Sequence, residues 1–251
     1  MNKRLKEVIM KKRKKIIITI AIAIVVLAAI LFAFVYNNGY SGIHNHTDPQ
    51  EGQIKVACIG DSITYGHGIS SWTKNNYPAQ LQNLLGDSYH VANFGHSGRT
   101  LSSDGDKPYA ESKQYELSLE YDADIIIFML GTNDSKPKNW TDANTFMAEY
   151  EKMVNSYKEN NPDVRIILCT PPVAFYSKGK TEGKTNFNIQ PSVIEQIKTR
   201  IVSFALLNEY ECIDMYDFTY GHTEWFKNDN VHPNSDGAKA IAELVYKKIT
   251  K

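Results

Sequence analysis

The chain has 251 residues with 28 basic and 28 acidic side chains, seven histidines and three cysteines. Eight of the bases and one acid, Glu7, fall within residues 1–15, so the remainder holds 20 bases against 27 acids, a net of about −7 that argues against nucleic acid as a partner. Three cysteines cannot complete a disulfide framework, and Cys58, Cys169 and Cys212 all sit in apolar strand-like runs as small buried hydrophobes.

Residues 1–15 form a basic segment expected in the cytoplasm. Residues 16–36 are an uninterrupted uncharged run of 21 residues, and a helix needs about 20 apolar residues to cross the hydrocarbon layer. A cleaved signal peptide has a shorter apolar core, about 7–15 residues, and ends at a small-residue cleavage site. This run is longer and passes through Phe32, Phe34 and Tyr36 without an Ala-x-Ala ending. The sequence therefore predicts an uncleaved single-pass membrane anchor that leaves the remainder extracytoplasmic. Residues 37–52, with their Gly, Asn, His, Asp and Pro, read as a tether. His44 and His46 lie within it, and no metal role is expected for them. Residues 53–251 are one domain's worth of chain.

Within that domain, β-rich runs alternate with helical patterns. The strands are expected at Ile54 to Ile59, Tyr89 to Asn93, Asp124 to Leu130, Val164 to Thr170 and Glu211 to Met215. The third is apolar at every position from Ile125 to Leu130, as a strand covered on both faces would be. Helices are expected from Pro78 to Leu85 with Gly86 as the stop, after a Thr141 cap, from Pro191, and after an Asn234 or Ser235 cap. This alternation predicts a three-layer α/β/α domain around a mostly parallel five-stranded sheet.

Four segments then fall after strands or before the last helix, on one rim. Gly60-Asp61-Ser62-Ile63-Thr64 follows the first strand, and a hydroxyl presented there stands where open α/β sheets bind ligands. Asn93 to Arg99 follows the second strand and Gly131-Thr132-Asn133-Asp134 the third, while Asp229-Asn230-Val231-His232-Pro233 precedes the last helix. Ser62 is the candidate nucleophile. A hydroxyl needs an adjacent base that a third group orients, and Asp229 and His232 can supply both from one short turn. His67, His96 and His222 are rival loop histidines, none with an acid so placed. The Ser62 and Gly98 backbone N–H groups and the Asn133 carboxamide are candidate oxyanion donors. Each segment alone also describes an ordinary turn or solvated loop.

Together, Gly60-Asp61-Ser62, the glycine at 98, Gly131-Thr132-Asn133-Asp134 and Asp229-x-x-His232 resemble the four blocks of the SGNH hydrolases of the GDSL esterase superfamily, in the family's order. The resemblance implies a flavodoxin-like α/β/α fold. It also implies a serine esterase without metal or cofactor, using Ser62, His232 and Asp229, with Ser62, Gly98 and Asn133 as the oxyanion hole. Thr64 departs from the lipase branch, and the first and third blocks resemble bacterial carbohydrate acetylesterases instead. The Gly-x-Ser-x-Gly elbow of α/β-hydrolases is absent. The expected substrate is a small-molecule or carbohydrate ester. A lipase, thioesterase or acyltransferase of the same family, or a glycan-binding relative without activity, are the alternatives. Trp72, Tyr77, Tyr109, Trp140, Tyr176, Phe187 and Trp225 lie in or near loops, as sugar-stacking faces or as ordinary packing.

Overall fold

The computed structural model describes residues 3–37, 48–176 and 185–251. Residues 38–47, most of the expected tether and both of its histidines, lie outside the described residues. Helix α1, Lys3–Asn37, includes a segment, Glu7–Tyr36, that is long enough and holds an apolar window sufficient to cross a membrane, and is a candidate span or signal sequence.

Five strands, β1 (Ile54–Gly60), β2 (Tyr89–Gly95), β3 (Ile125–Met129), β4 (Arg165–Cys169) and β5 (Glu211–Ile213), form one sheet in the order β2-β1-β3-β4-β5. Every pairing is parallel. Side chains alternate across the sheet, so β1 sends Ala57 and Ile59 into one core and Val56 and Cys58 into the other. The first core is covered by α5 (Lys113–Glu120), α6 (Ala143–Asn160) and α7 (Pro191–Leu207). The second is covered by the short α2 (Ser62–Tyr65) and α3 (Trp72–Asn75), then α4 (Tyr77–Leu85) and α9 (Ser235–Ile249). One further short helix, α8 (Met215–Thr219), follows β5. The three-layer α/β/α architecture is as the alternation predicted.

Local chemistry sets the helix ends. Asn76 caps α4 and Asn234 caps α9 through their side-chain oxygens. The cap of α6 is Asp142, not Thr141: its Oδ1 accepts the N–H groups of Asn144 (2.7 Å) and Thr145 (3.0 Å). A carboxylate at a helix start also brings a negative charge that the helix dipole stabilises, which a threonine hydroxyl lacks. Helix α5 was not expected. It has eight residues and a polar sequence, and its start is fixed by the Ser112 side chain accepting from Tyr115 N–H at 3.2 Å. Cys58 and Cys169 are fully buried and Cys212 is partly so, all as free thiols.

The open edge at β2 is closed by side chains rather than a sixth strand. Gln82 Oε1 accepts the Val91 N–H at 2.7 Å and Gln82 Nε2 donates to the Tyr89 carbonyl at 3.0 Å. Inside the sheet, β1 and β3 are neighbours from which the chain order departs in both directions. That reversal leaves a crevice beyond their carboxyl ends, the usual ligand position in open α/β sheets.

Candidate active site

The crevice is built from the ends of β1 and β3. Asp61 caps α2, its Oδ1 accepting the Ile63 N–H at 2.9 Å, and this tight strand-to-helix turn puts Ser62 at the helix start. Gly60 is required there because a Cβ would strike the Thr64 side chain and lie 2.8 Å from the Met129 carbonyl. Asp61 is only 1 % exposed, and burial pushes its carboxyl above the ordinary range.

His232 reaches Ser62 across 170 residues of sequence. Its Nε2 lies 2.9 Å from Ser62 Oγ, and its Nδ1 lies 3.0 Å from Asp229 Oδ2. The carboxylate selects the tautomer protonated at Nδ1, leaving Nε2 to accept the hydroxyl proton. The loop is self-bracing: Asp229 Oδ1 also accepts the backbone N–H of Val231 at 3.0 Å and of His232 at 2.8 Å. Burial pushes the Asp229 carboxyl up, but the hydrogen bond and charge of His232 and those two N–H groups outweigh it. They hold the carboxyl well below the usual carboxylate range.

Gly98 sits at φ +82°, left-handed backbone that only glycine adopts without strain. Asn133 opens a short 3-10 turn after β3 and donates through Nδ2 to the Arg99 carbonyl at 3.0 Å, with a longer 3.4 Å contact to Asp61. Ser62, Gly98, Asn133 and His232 all line one pocket of about 190 Å³. Asp229 stands behind the imidazole rather than in the lining. The structure thus brings all five candidate residues together.

His67, Thr132, Lys136 and Ile189 line the pocket as well. Lys136 and Ile189 were not singled out by the sequence, whereas His67 stood there as a rival base and Thr132 belonged to the third block. The spacing Thr132-Asn133-x-x-Lys136 was a visible signal for two of them, since the turn that positions Asn133 carries both. The His67 ring centre stands 4.8 Å from that of His232, and burial, aided by the charges of His232 and Lys227, lowers its pKa to about 4. His222, outside the pocket lining, pairs through Nδ1 with Glu224 at 2.8 Å while its ring stacks on Trp225 at 3.7 Å.

The aromatic residues divide. Trp72, Tyr77 and Tyr109 are 3 %, 1 % and 0 % exposed and belong to the core, so the packing reading holds for them. Phe187 lines the pocket and meets the His232 ring edge-on at 5.1 Å. A larger groove of about 600 Å³ runs between α4 and the β2 edge, and neither Ser62 nor His232 lines it.

Fold and site together define an α/β/α protein with a hydroxyl, an imidazole and a carboxylate in a row at the carboxyl edge of its sheet. Residues 58–240 match the model of the GDSL-like lipase/acylhydrolase family. The chain belongs to that family. It is 36 % identical over 218 residues to an acetylxylan esterase of Xylanibacter ruminicola, covering 78 % of this chain and 43 % of that protein. The chain therefore spans less than half the length of that curated relative. Among solved structures, a carbohydrate acetylesterase from Sinorhizobium meliloti superposes with TM-score 0.61 at 17 % identity, covering 79 % of this chain and 99 % of that one. A lipase/acylhydrolase from Enterococcus faecalis gives 0.60 at 22 %, covering 78 % and 95 %. These likenesses show the fold expected from the four blocks.

Proposed function

We propose that the chain is a serine esterase that removes short acyl groups, above all acetyl, from carbohydrate hydroxyls. The observation that carries this reading is the row Ser62 Oγ, His232 Nε2, Asp229 Oδ2, with steps of 2.9 and 3.0 Å at the mouth of a small pocket.

In the first half-reaction His232 Nε2 takes the Ser62 proton as Oγ adds to the ester carbonyl carbon. The carbonyl oxygen becomes an oxyanion, received by the Ser62 and Gly98 N–H groups and by Asn133 Nδ2, which gives up its weak contact with Asp61. Collapse breaks the bond to the sugar oxygen, which leaves with the proton from His232. In the second half-reaction water adds to the acyl-enzyme, His232 takes its proton and then returns it to Ser62 Oγ as the carboxylic acid departs. Asp229 stays ionised throughout and stabilises the imidazolium. Each oxyanion donor is worth about 10²–10³ in turnover.

Pocket size supports a short acyl group, because its 190 Å³ is below the roughly 300–1,000 Å³ of sites for larger ligands. The names of the acetylxylan esterase and carbohydrate acetylesterase relatives support an acetylated glycan. The basic segment before the apolar helix supports an anchor with the domain outside the cell. Acetate release from acetylated xylan, sialic acid and peptidoglycan by the full chain tests the reading, with Ser62→Ala as control. That substitution is expected to lower turnover by several orders of magnitude, and wild-type-like release by the variant would overturn the assignment. A p-nitrophenyl ester series from acetate to long chains should decline with length.

A further inference from the structure

Among the described residues lining the pocket, Lys136 carries the only side chain with a fixed charge; the others are uncharged apart from the two imidazoles of His67 and His232. Its backbone is fixed beside Asn133: the Lys136 N–H donates to the Asn133 carbonyl, and its own carbonyl accepts from Asn139 at 2.8 Å and Trp140 at 2.9 Å. Among the described residues Lys136 makes no ion pair. The neighbouring charges do not cancel it. Lys138 pairs with Asp106, which consumes the adjacent carboxylate. Lys107 borders Gly98 on the other side, where a glycine Cβ would lie 3.8 Å from its Cδ. Asp61, the buried acid below the site, is occupied by the Ile63 N–H and by Asn133.

Burial pushes the Lys136 ammonium below its ordinary pKa, and the like charges of Lys138 and Lys107 add to that against the opposing pull of Asp106 and Asp61. An ammonium half removed from water without an ion-pair partner gains most from an anion arriving with the substrate. The rest of the domain makes this harder to dismiss as chance, since beyond residue 15 the chain holds 20 bases against 27 acids.

We propose that Lys136 is a specificity-determining residue: the preferred substrate carries, near the acyl ester, an anionic group on its sugar, a carboxylate or a phosphate, that sits against this ammonium. The inference rests on the esterase reading above and names its substrate class.

Matched pairs test it with the full chain: an acetylated uronic acid glycoside against its methyl ester, and an acetylated hexose phosphate against the unphosphorylated sugar. The wild type should favour the charged member of at least one pair by about tenfold in kcat/KM, which is 1.4 kcal/mol, and mostly through KM. The pair that shows the preference identifies the anion. Lys136→Met should erase that preference, Lys136→Arg should keep most of it, and raised salt should shrink it. Equal kcat/KM for both members of both pairs in the wild type would overturn the inference, as would a preference that survives Lys136→Met. If Lys136→Met lowers neutral and charged substrates alike, Lys136 serves Asp61 and the inference is likewise overturned. Calorimetric binding of the same pairs to Ser62→Ala decides it without turnover. Tighter binding of the charged member there, with no cleavage of either member by the wild type, would uphold the anion site while sinking the esterase reading.

Discussion

The carboxylate of Asp134 accepts the backbone N–H of Ser102 at 2.8 Å, and through its other oxygen that of Leu101 at 2.9 Å. It ties the loop after β3 to the loop after β2, and so holds Asn133 and Gly98 on facing walls of one pocket. Asn139 adds a second tie, donating to both the Asn133 carbonyl (2.9 Å) and Asp106 (2.8 Å). The site is a junction of loops, and these buried polar ties give it a fixed shape.

Asp134→Ala leaves two N–H groups without an acceptor, at a cost of about 1–3 kcal/mol each. Burial, opposed by those N–H groups and assisted by Asp61, raises the Asp134 pKa to about 6. An acid with a raised folded pKa binds more protons folded than unfolded, so its contribution to stability falls as pH rises from about 4 to about 6 and then levels off. The penalty of Asp134→Ala is therefore expected to be larger at pH 4.5 than at pH 7.5. Urea midpoints of both proteins at the two pH values check this, and an equal or reversed gap would refute it.

Asp229→Asn should keep the fold and lose about 10⁴ in turnover, the scale on which a triad fails when its histidine is held in the wrong tautomer. Stability carries a second signature. The folded Asp229 carboxyl is held below its unfolded value of 3.8, so its stabilisation is complete above about pH 4 and is lost as pH falls through the lower folded value. The stability gap between wild type and Asp229→Asn should be present at pH 5 and shrink steadily as pH falls below about 4. Denaturation curves across that range measure it.

Much of this was legible in the sequence, and the physical reasons are local. The run Ile125 to Met129 is apolar because both faces of β3 are covered, and Asp229-x-x-His232 announces its contact because three residues in one turn cannot lie far apart. Ser62, Gly98 and Asn133 were found through the order of the blocks. Lys136 was not, although it shares the Asn133 turn, and His67 stood only as a rival base, since which residues of a loop face a pocket depends on how separate loops meet. Helix α5 escaped for a related reason: its Tyr115, Leu117 and Leu119 pack only partly against the core, so the apolar stripe is weak. Tyr109 looked like a rim ring and is buried, its hydroxyl donating to the Phe94 carbonyl at 2.7 Å.

Two glycines should fail for opposite reasons. Gly95 ends β2 where α2 crosses it, and a Cβ there would strike the Tyr65 backbone N and lie 2.7 Å from the Thr64 carbonyl carbon. Gly95→Ala must move the helix that carries Ser62, so both stability and turnover should drop, stability by about 1–3 kcal/mol or more. Gly98 has room for a methyl group but holds φ +82°. Gly98→Ala should cost about 1–2 kcal/mol through backbone strain, while its larger effect falls on turnover as the N–H turns away. Thermal melts alongside kcat for the two variants separate the cases.

Gln82 stands in for a missing strand at the β2 edge. Gln82→Ala exposes the Val91 N–H and weakens the hold on the Tyr89 carbonyl, to which Gln53 contributes only a 3.5 Å contact. Lost hydrogen bonds should lower stability by about 1–2 kcal/mol, but the distinctive outcome is association, because an unpaired edge templates pairing with another chain. Light scattering at 37 °C should rise faster for Gln82→Ala than for a core variant of equal stability loss. Gln82→Glu keeps an acceptor for Val91 and loses the donor to Tyr89, so it should fall between the two. If scattering instead tracks stability alone across all three variants, the amide is an ordinary packing group and the edge needs no guard.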